Sequence, residues 1–175
     1  MSYQNECQQI LDVFETELRG FVCKQLETLI GAGWWKTRVP GPIKQSCRQR
    51  RIQDQNRPFP PLPTGEDVDY IHIGELKDII VRADNYKEVF SEFFGSNSNG
   101  ITTKLEELIA TRDAVRHVRP GIGAREHERL IVTCRDVFDA MILDIDTKPN
   151  LKIFSMGTGE SQPGDENDPI MKTIR

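Results

Sequence analysis

Long apolar runs are missing from these 175 residues. Nothing approaches the roughly 18 consecutive apolar residues that a bilayer-spanning helix needs. The start, Met1 to Gln9, is polar and lacks the charged and apolar regions of a secretory signal. A chain that neither enters nor crosses a membrane is expected in the cytoplasm. An excess of positive charge is missing as well. Lys and Arg number 23 against 27 Asp and Glu, for a net charge of −4 and a pI near 5.5, which argues against coating nucleic acid by bulk charge. Metal and disulfide spacings are absent too. Cys7, Cys23, Cys47 and Cys134 form no C-x-x-C, and His72, His117 and His127 have no ligand spacing to one another or to a cysteine. Reduced, buried thiols are expected, with no structural zinc and no cofactor. Apolar residues reach 37% and aromatics 7%, below the usual apolar share of about 45–50%, so one core is expected with part of the chain outside it. No internal repeat is visible, which removes solenoids.

What is present is helical periodicity. Cys7, Ile10, Leu11, Phe14, Leu18, Phe21, Val22, Leu26, Leu29 and Ile30 recur at steps of three and four, predicting one long helix over 5–30 that Gly31-Ala-Gly33 stops. A second helix over 43–55 follows the Pro40-Gly-Pro42 turn, with Pro42 near the first turn where a missing N–H costs nothing. Residues 56–67 carry Pro58, Pro60, Pro61 and Pro63 and predict an extended loop. Leu76, Ile79 and Ile80 mark a helix over 75–82, and Tyr86, Val89, Phe90, Phe93 and Phe94 mark an aromatic one starting at Asn85. Ile101, Leu105, Leu108, Ile109 and Val115 predict the next, with Thr103 and Glu106 as a capping box. A last helix over 124–145 places Leu130, Ile131, Cys134, Val137, Phe138, Met141, Ile142 and Ile145 on one side. The fold class is therefore all-α, a compact bundle of about five helices with a Pro-rich loop between the second and third. The domain spans 1–145, and 146–175 is a flexible acidic tail or linker with too few apolar residues to fold alone.

Chemistry concentrates at the end of the penultimate helix. Arg112-Asp-Ala-Val-Arg-His117-Val-Arg-Pro120 places three arginines, a carboxylate and a histidine within nine positions. Asp113 and His117 are i,i+4 neighbours, so the carboxylate can fix the imidazole tautomer, and Arg112 and Arg116 form a parallel row. A histidine held this way moves protons near neutral pH, and a guanidinium beside it suits a phosphate oxygen or a phosphorane. The competing reading is plain capping, because a helix C-terminus attracts cations.

Arg112-Asp-Ala-Val-Arg-His117 resembles the R-x4–6-H motif of the HEPN superfamily (higher eukaryotes and prokaryotes nucleotide-binding), in which a polar residue follows the arginine. The order of elements is also similar to HEPN domains of RNA surveillance and prokaryotic defence: Gly33-Trp-Trp35, a proline turn and basic helix, Tyr70-Ile-His-Ile-Gly-Glu-Leu-Lys-Asp-Ile-Ile80, Val89-Phe-Ser-Glu-Phe-Phe94, and Leu105-Glu-Glu-Leu before the motif. The likeness covers about residues 5–145. It implies an all-α homodimer in which two motifs face each other across one cleft. Active members cut RNA without metal by attack of the 2′-hydroxyl on the adjacent phosphate, leaving a 2′,3′-cyclic phosphate and a 5′-hydroxyl. Carried over, His117 is the acid or base, Arg112 stabilises the phosphorane, and Asp113 orients the pair. RNA, a second copy, and an antitoxin or a helicase or ATPase are the implied partners, in a toxin or defence role. Asp113 departs from the asparagine frequent in the family and puts a negative charge beside a cleft meant for phosphates. On an ideal helix Arg112 and His117 also diverge by about 140°, so they converge only if the helix loosens or a partner subunit supplies one of them.

Between Lys36 and Arg57 there are seven cations against Asp54 alone. Lys44, Arg48 and Arg51, with Arg116 and Arg119, are candidate RNA-backbone contacts, against the alternative of a solvated helix face. Trp34 and Trp35 either stack on bases or pack on the bundle. Arg57-Pro-Phe-Pro-Pro-Leu-Pro63 reads as a stiff loop or a polyproline ligand with a basic anchor. His127 either faces the cleft or is an ordinary surface histidine, and His72 is expected to be a satisfied, partly buried group. Gly121-Ile-Gly123 has no strand before it and is a helix break rather than a phosphate loop. Two further functions stand beside the nuclease: a non-catalytic HEPN-like module binding RNA, a nucleotide or a protein, and a structural helical adaptor.

Overall fold

A computed structural model describes residues 2–58, 64–142 and 148–154. Helix α1 (Tyr3–Ile30) runs 28 residues and buries Cys7, Ile10, Leu11, Phe14, Leu18, Phe21, Val22 and Leu26 on one stripe. Gly31, at φ 94°, closes it by donating its amide to Glu27 O at 2.9 Å; only glycine adopts this backbone without a Cβ clash. Helix α2 (Trp34–Arg38) follows, then α3 (Gly41–Gln55) with Pro42 in its first turn. A 3₁₀ turn (Asp67–Tyr70) leads to α4 (Ile73–Val81), whose Ile73, Leu76, Ile79 and Ile80 are buried. The aromatic stretch is divided into α5 (Ala83–Asn85), a π turn (Tyr86–Phe90) and α6 (Ser91–Phe94). Helices α7 (Asn99–Arg116) and α8 (Ala124–Ala140) complete the bundle, and a 3₁₀ turn (Pro149–Phe154) returns to it. Among the described residues there is no strand. The all-α class stands, with eight α-helical segments among the described residues rather than about five; Trp34–Arg38 is one of the additions and the π turn divides the aromatic stretch.

α1 is the central strut, packed against α4, α7 and α8, while α4 meets α7 and α7 meets α8. Phe14 of α1 meets Phe138 of α8 at 5.3 Å, and Phe138 meets Phe154 edge-on at 4.9 Å. Leu151 and Phe154 are fully buried, so the packed body reaches Phe154, past the boundary at 145 expected from periodicity. Two apolar residues in a short turn leave no helical period to read. The remainder of the expected tail, 155–175, and residues 59–63 of the Pro-rich loop and polyproline pattern lie outside the described residues.

The basic helix α3 is tied down rather than free. Arg50 binds Glu75 of α4 with two guanidinium nitrogens, one of them at 2.9 Å, and also reaches Tyr70 O. Arg51 pairs with Asp67. Asn85, fully buried, donates from Nδ2 to Ile79 O at 2.8 Å and to Arg38 O at 3.0 Å, joining α2 to the α4–α5 corner. The expected capping box at Thr103 is replaced: α7 starts at Asn99, and the Thr103 hydroxyl donates back to Asn99 O at 2.9 Å. The last helix ends at Ala140 rather than 145, and Ile142, expected in the core, is 82% exposed because the chain turns away there at φ 58°. Ile145 is outside the described residues.

Candidate functional site

The end of α7 is built by its own sequence. Ile101, Leu105, Leu108 and Val115 form the buried stripe, and Arg112 falls on that same stripe, four residues after Leu108 and three before Val115. Its side chain is therefore drawn inward, 14% exposed, against α1. Arg116, His117 and Arg119 lie off the stripe and are exposed. The helix closes on His117, whose amide still donates to Asp113 O at 3.1 Å. Beyond it Val118 donates to Val115 O at 3.1 Å and Arg119 to Ala114 O at 3.0 Å, a helix-ending turn that places Val118 at φ 48°. A β-branched residue pays for this left-handed backbone in steric strain.

The side chains do not pair as the i,i+4 spacing predicts. Asp113 lies nearest Arg112, 3.9 Å from Nη1, and no ion pair joins it to His117 among the described residues. Both inward geometry and helix regularity through the His117 amide keep Arg112 and His117 on different sides of α7, so a single chain does not bring them together.

Arg112 meets a polar node inside the bundle instead. Its Nε lies 3.8 Å from Glu15 Oε2. Glu15 also accepts the Ile73 amide at 3.0 Å and an Arg19 nitrogen at 3.0 Å, and His72 Nδ1 lies 3.9 Å away. Arg19 caps the same corner by donating to Ile71 O at 2.8 and 3.1 Å. Burial pushes the Glu15 carboxyl up, but His72, the Ile73 amide and the Arg19 charge outweigh it and hold the group below its ordinary value. Burial and the neighbouring Arg116 charge lower the Arg112 guanidinium, against the pull of Glu15 and Asp113. Arg112 Nη2 and His72 Nδ1 are buried without hydrogen-bond partners. The expectation of a satisfied His72 is thus corrected: its ring is partly open, but the inward nitrogen stands beyond bonding distance of Glu15.

His127, in the first turns of α8, is neither free nor simply exposed. Its Nε2 lies 3.3 Å from Glu6 and its ring 5.5 Å from that of Tyr3. Gln4 of the same α1 turn donates to Val115 O, so the start of α1 buttresses the end of α7. Among the proposed backbone contacts on α3, Lys44 donates to Lys36 O at 3.0 Å and Arg51 is held by Asp67, which leaves Arg48 exposed. Trp34 is buried and meets Trp35 edge-on at 5.7 Å. Cys7, Cys47 and Cys134 are buried and Cys23 is half-buried, all as free thiols, and burial pushes Cys23 and Cys47 up to about 11. No three His, Cys, Asp or Glu side chains gather as metal ligands among the described residues. No helix there is long and apolar enough to cross a membrane.

The Glu15–Arg112 node was missed by sequence reasoning, although a signal existed. Glu15 sits at the edge of the α1 stripe, four after Leu11 and three before Leu18, and Arg112 sits on the stripe of α7. Two opposite charges at inward positions of two amphipathic helices are each other's natural partners. Fold and site together define an all-α protein in which α7 ends in an exposed basic cluster. Against known proteins, no family, no curated protein and no solved structure matches this chain.

Proposed function

We propose that this chain is a HEPN-type endoribonuclease that cuts RNA without metal at a cleft shared by two copies. The observation that carries the reading is the end of α7: His117, Arg116 and Arg119 are exposed together, with Arg112 one turn behind and the helix halted by the turn at Val118. An exposed imidazole can take the proton from the 2′-hydroxyl or give one to the leaving 5′-oxygen. The 2′-oxygen then forms a bond to phosphorus as the bond to the 5′-oxygen breaks, giving a 2′,3′-cyclic phosphate and a 5′-hydroxyl. Guanidinium groups stabilise the extra charge of the phosphorane between these states. Because Arg112 and His117 diverge within one chain, the partner copy supplies one of the pair.

The test is cleavage of structured and single-stranded RNA in EDTA, with the termini read chemically. Cyclic phosphate ends that vanish in His117→Ala are expected. Cutting that persists unchanged in that variant overturns the site.

A second reading, RNA binding without cleavage, is favoured by one observation: Asp113 carries a charge beside Arg112, where it competes with phosphate for the guanidinium. That reading is upheld by saturable RNA binding whose salt dependence shrinks in Arg48→Gln and Arg116→Gln, with intact RNA throughout.

A further inference from the structure

We infer that Glu15 of α1 is a positioning residue for Arg112, an assignment that rests on the nuclease reading above. Arg112 is carried inward, and its Nε edge faces the Glu15 carboxylate at 3.8 Å. That carboxylate is itself tied on both oxygens. The Ile73 amide and the Arg19 guanidinium both hold it at 3.0 Å, so it is fixed by α1 and by the entry to α4 at once.

A guanidinium that faces a carboxylate along its Nε edge at ion-pair distance keeps its outer nitrogens for another acceptor. In Arg112 one of these, Nη1, lies 3.9 Å from Asp113, beyond hydrogen-bond distance, and the other, Nη2, has no partner at all. A buried, charged donor without an acceptor is costly in folded proteins, so the Glu15 charge is what offsets the burial of this guanidinium. The side chain keeps 14% of its surface open, so a phosphate oxygen arriving at the end of α7 meets the guanidinium there, and Glu15 sets the direction in which the group is presented. Glu15 touches neither the reacting phosphate nor His117. It acts through Arg112, across the α1–α7 contact.

The experiment compares the full chain with Glu15→Gln, Glu15→Asp and, as a control for a network of similar size that does not touch Arg112, Glu75→Gln. Gln keeps an oxygen for the Ile73 amide while giving up the charge and the second oxygen, which accepts from Arg19. Two readouts are taken: steady-state cleavage of a short RNA, and the ¹⁵N–¹H signal of Arg112 Nε, assigned by its loss in Arg112→Lys.

Glu15→Gln is expected to lower kcat about ten- to a hundredfold with KM nearly unchanged, since a misplaced catalytic group costs rate rather than binding. It is also expected to shift the Arg112 Nε signal and speed its exchange with water. Glu15→Asp recovers part of both, and Glu75→Gln lowers the melting temperature while leaving kcat in place. Unchanged kcat and an unchanged Nε signal in Glu15→Gln overturn the inference. So does a loss of activity that Glu75→Gln reproduces, since that is the mark of a structural role alone. If the wild-type chain cuts no RNA, the nuclease reading and the reaction role of Glu15 fall together, whereas cleavage by the wild type that ignores Glu15→Gln removes this inference and leaves that reading intact.

Discussion

Replacing Val118 by glycine should stabilise the protein. Val118 follows the helix-closing residue His117 at φ 48°, and its side chain is 75% exposed, so it buries little that glycine would forfeit. A Cβ in the left-handed region costs about 1–2 kcal/mol, and glycine returns that sum less the ~0.5–1 kcal/mol it loses by being freer when unfolded. The balance is about 0.5–1 kcal/mol in favour of Val118→Gly, or roughly 1–4 °C in melting temperature for a chain of this size. Both hydrogen bonds of the turn, Val118 to Val115 and Arg119 to Ala114, are made by backbone atoms and survive the change. Urea unfolding followed by circular dichroism at fixed pH gives the free energy, and the slope should not change. Destabilisation beyond about 0.5 kcal/mol would refute the reasoning, because it would mean that the valine side chain makes contacts that outweigh its strain.

The remaining expectations concern the core and its ion pairs. Phe154→Ala removes a fully buried ring packed edge-on to Phe138 at 4.9 Å and should cost about 3–5 kcal/mol by thermal or urea unfolding; a loss below about 1 kcal/mol would place the 149–154 turn outside the cooperative unit. Glu75, like Glu15, is held below its ordinary value: burial raises it, but the Arg50 hydrogen bonds, the His72 amide and the Arg50 charge prevail. A carboxylate depressed on folding contributes stability above its unfolded value, and the contribution is lost as pH falls through the folded one. Urea midpoints should therefore be flat near neutrality and fall below pH 4.5, the ordinary value for these groups, with a shallower fall in Glu75→Gln; equal acid slopes in the two proteins would contradict it.

How far the sequence is legible follows from period. The stripes of α1, α7 and α8 are long enough for steps of three and four to declare them, and the apolar positions named from spacing are buried in α1 up to Leu26, with Leu29 53% exposed in the last turn, and up to Met141 at the end of α8. Short elements escape. Trp34–Arg38 is a five-residue helix and Tyr86–Phe90 a π turn, and neither is long enough to show a repeat. Pro149–Phe154 is docked by two side chains, Leu151 and Phe154, a signal that length alone hides. At the site, the exposure of Arg116, His117 and Arg119 follows from their places off the apolar stripe. The expected pairing of Asp113 with His117 is absent: His117 is the residue that caps α7 after Arg116, and Asp113 lies toward Arg112 instead. The basic character of α3 misleads in a similar way: counting charge cannot see that Arg50 and Arg51 are spent on Glu75 and Asp67, which lie 25 and 16 residues later.

The claim that a partner copy completes the site is tested most directly by mixing two inactive variants. Arg112→Ala and His117→Ala are each purified, unfolded and refolded together, and RNA cleavage in EDTA is compared with either variant alone. A site built from the arginine of one copy and the histidine of the other is restored at one of two positions in the mixed dimer, so about a quarter of wild-type activity should return after random pairing. No recovery above the separate variants, with mixed dimers shown to be present, would contradict a shared cleft.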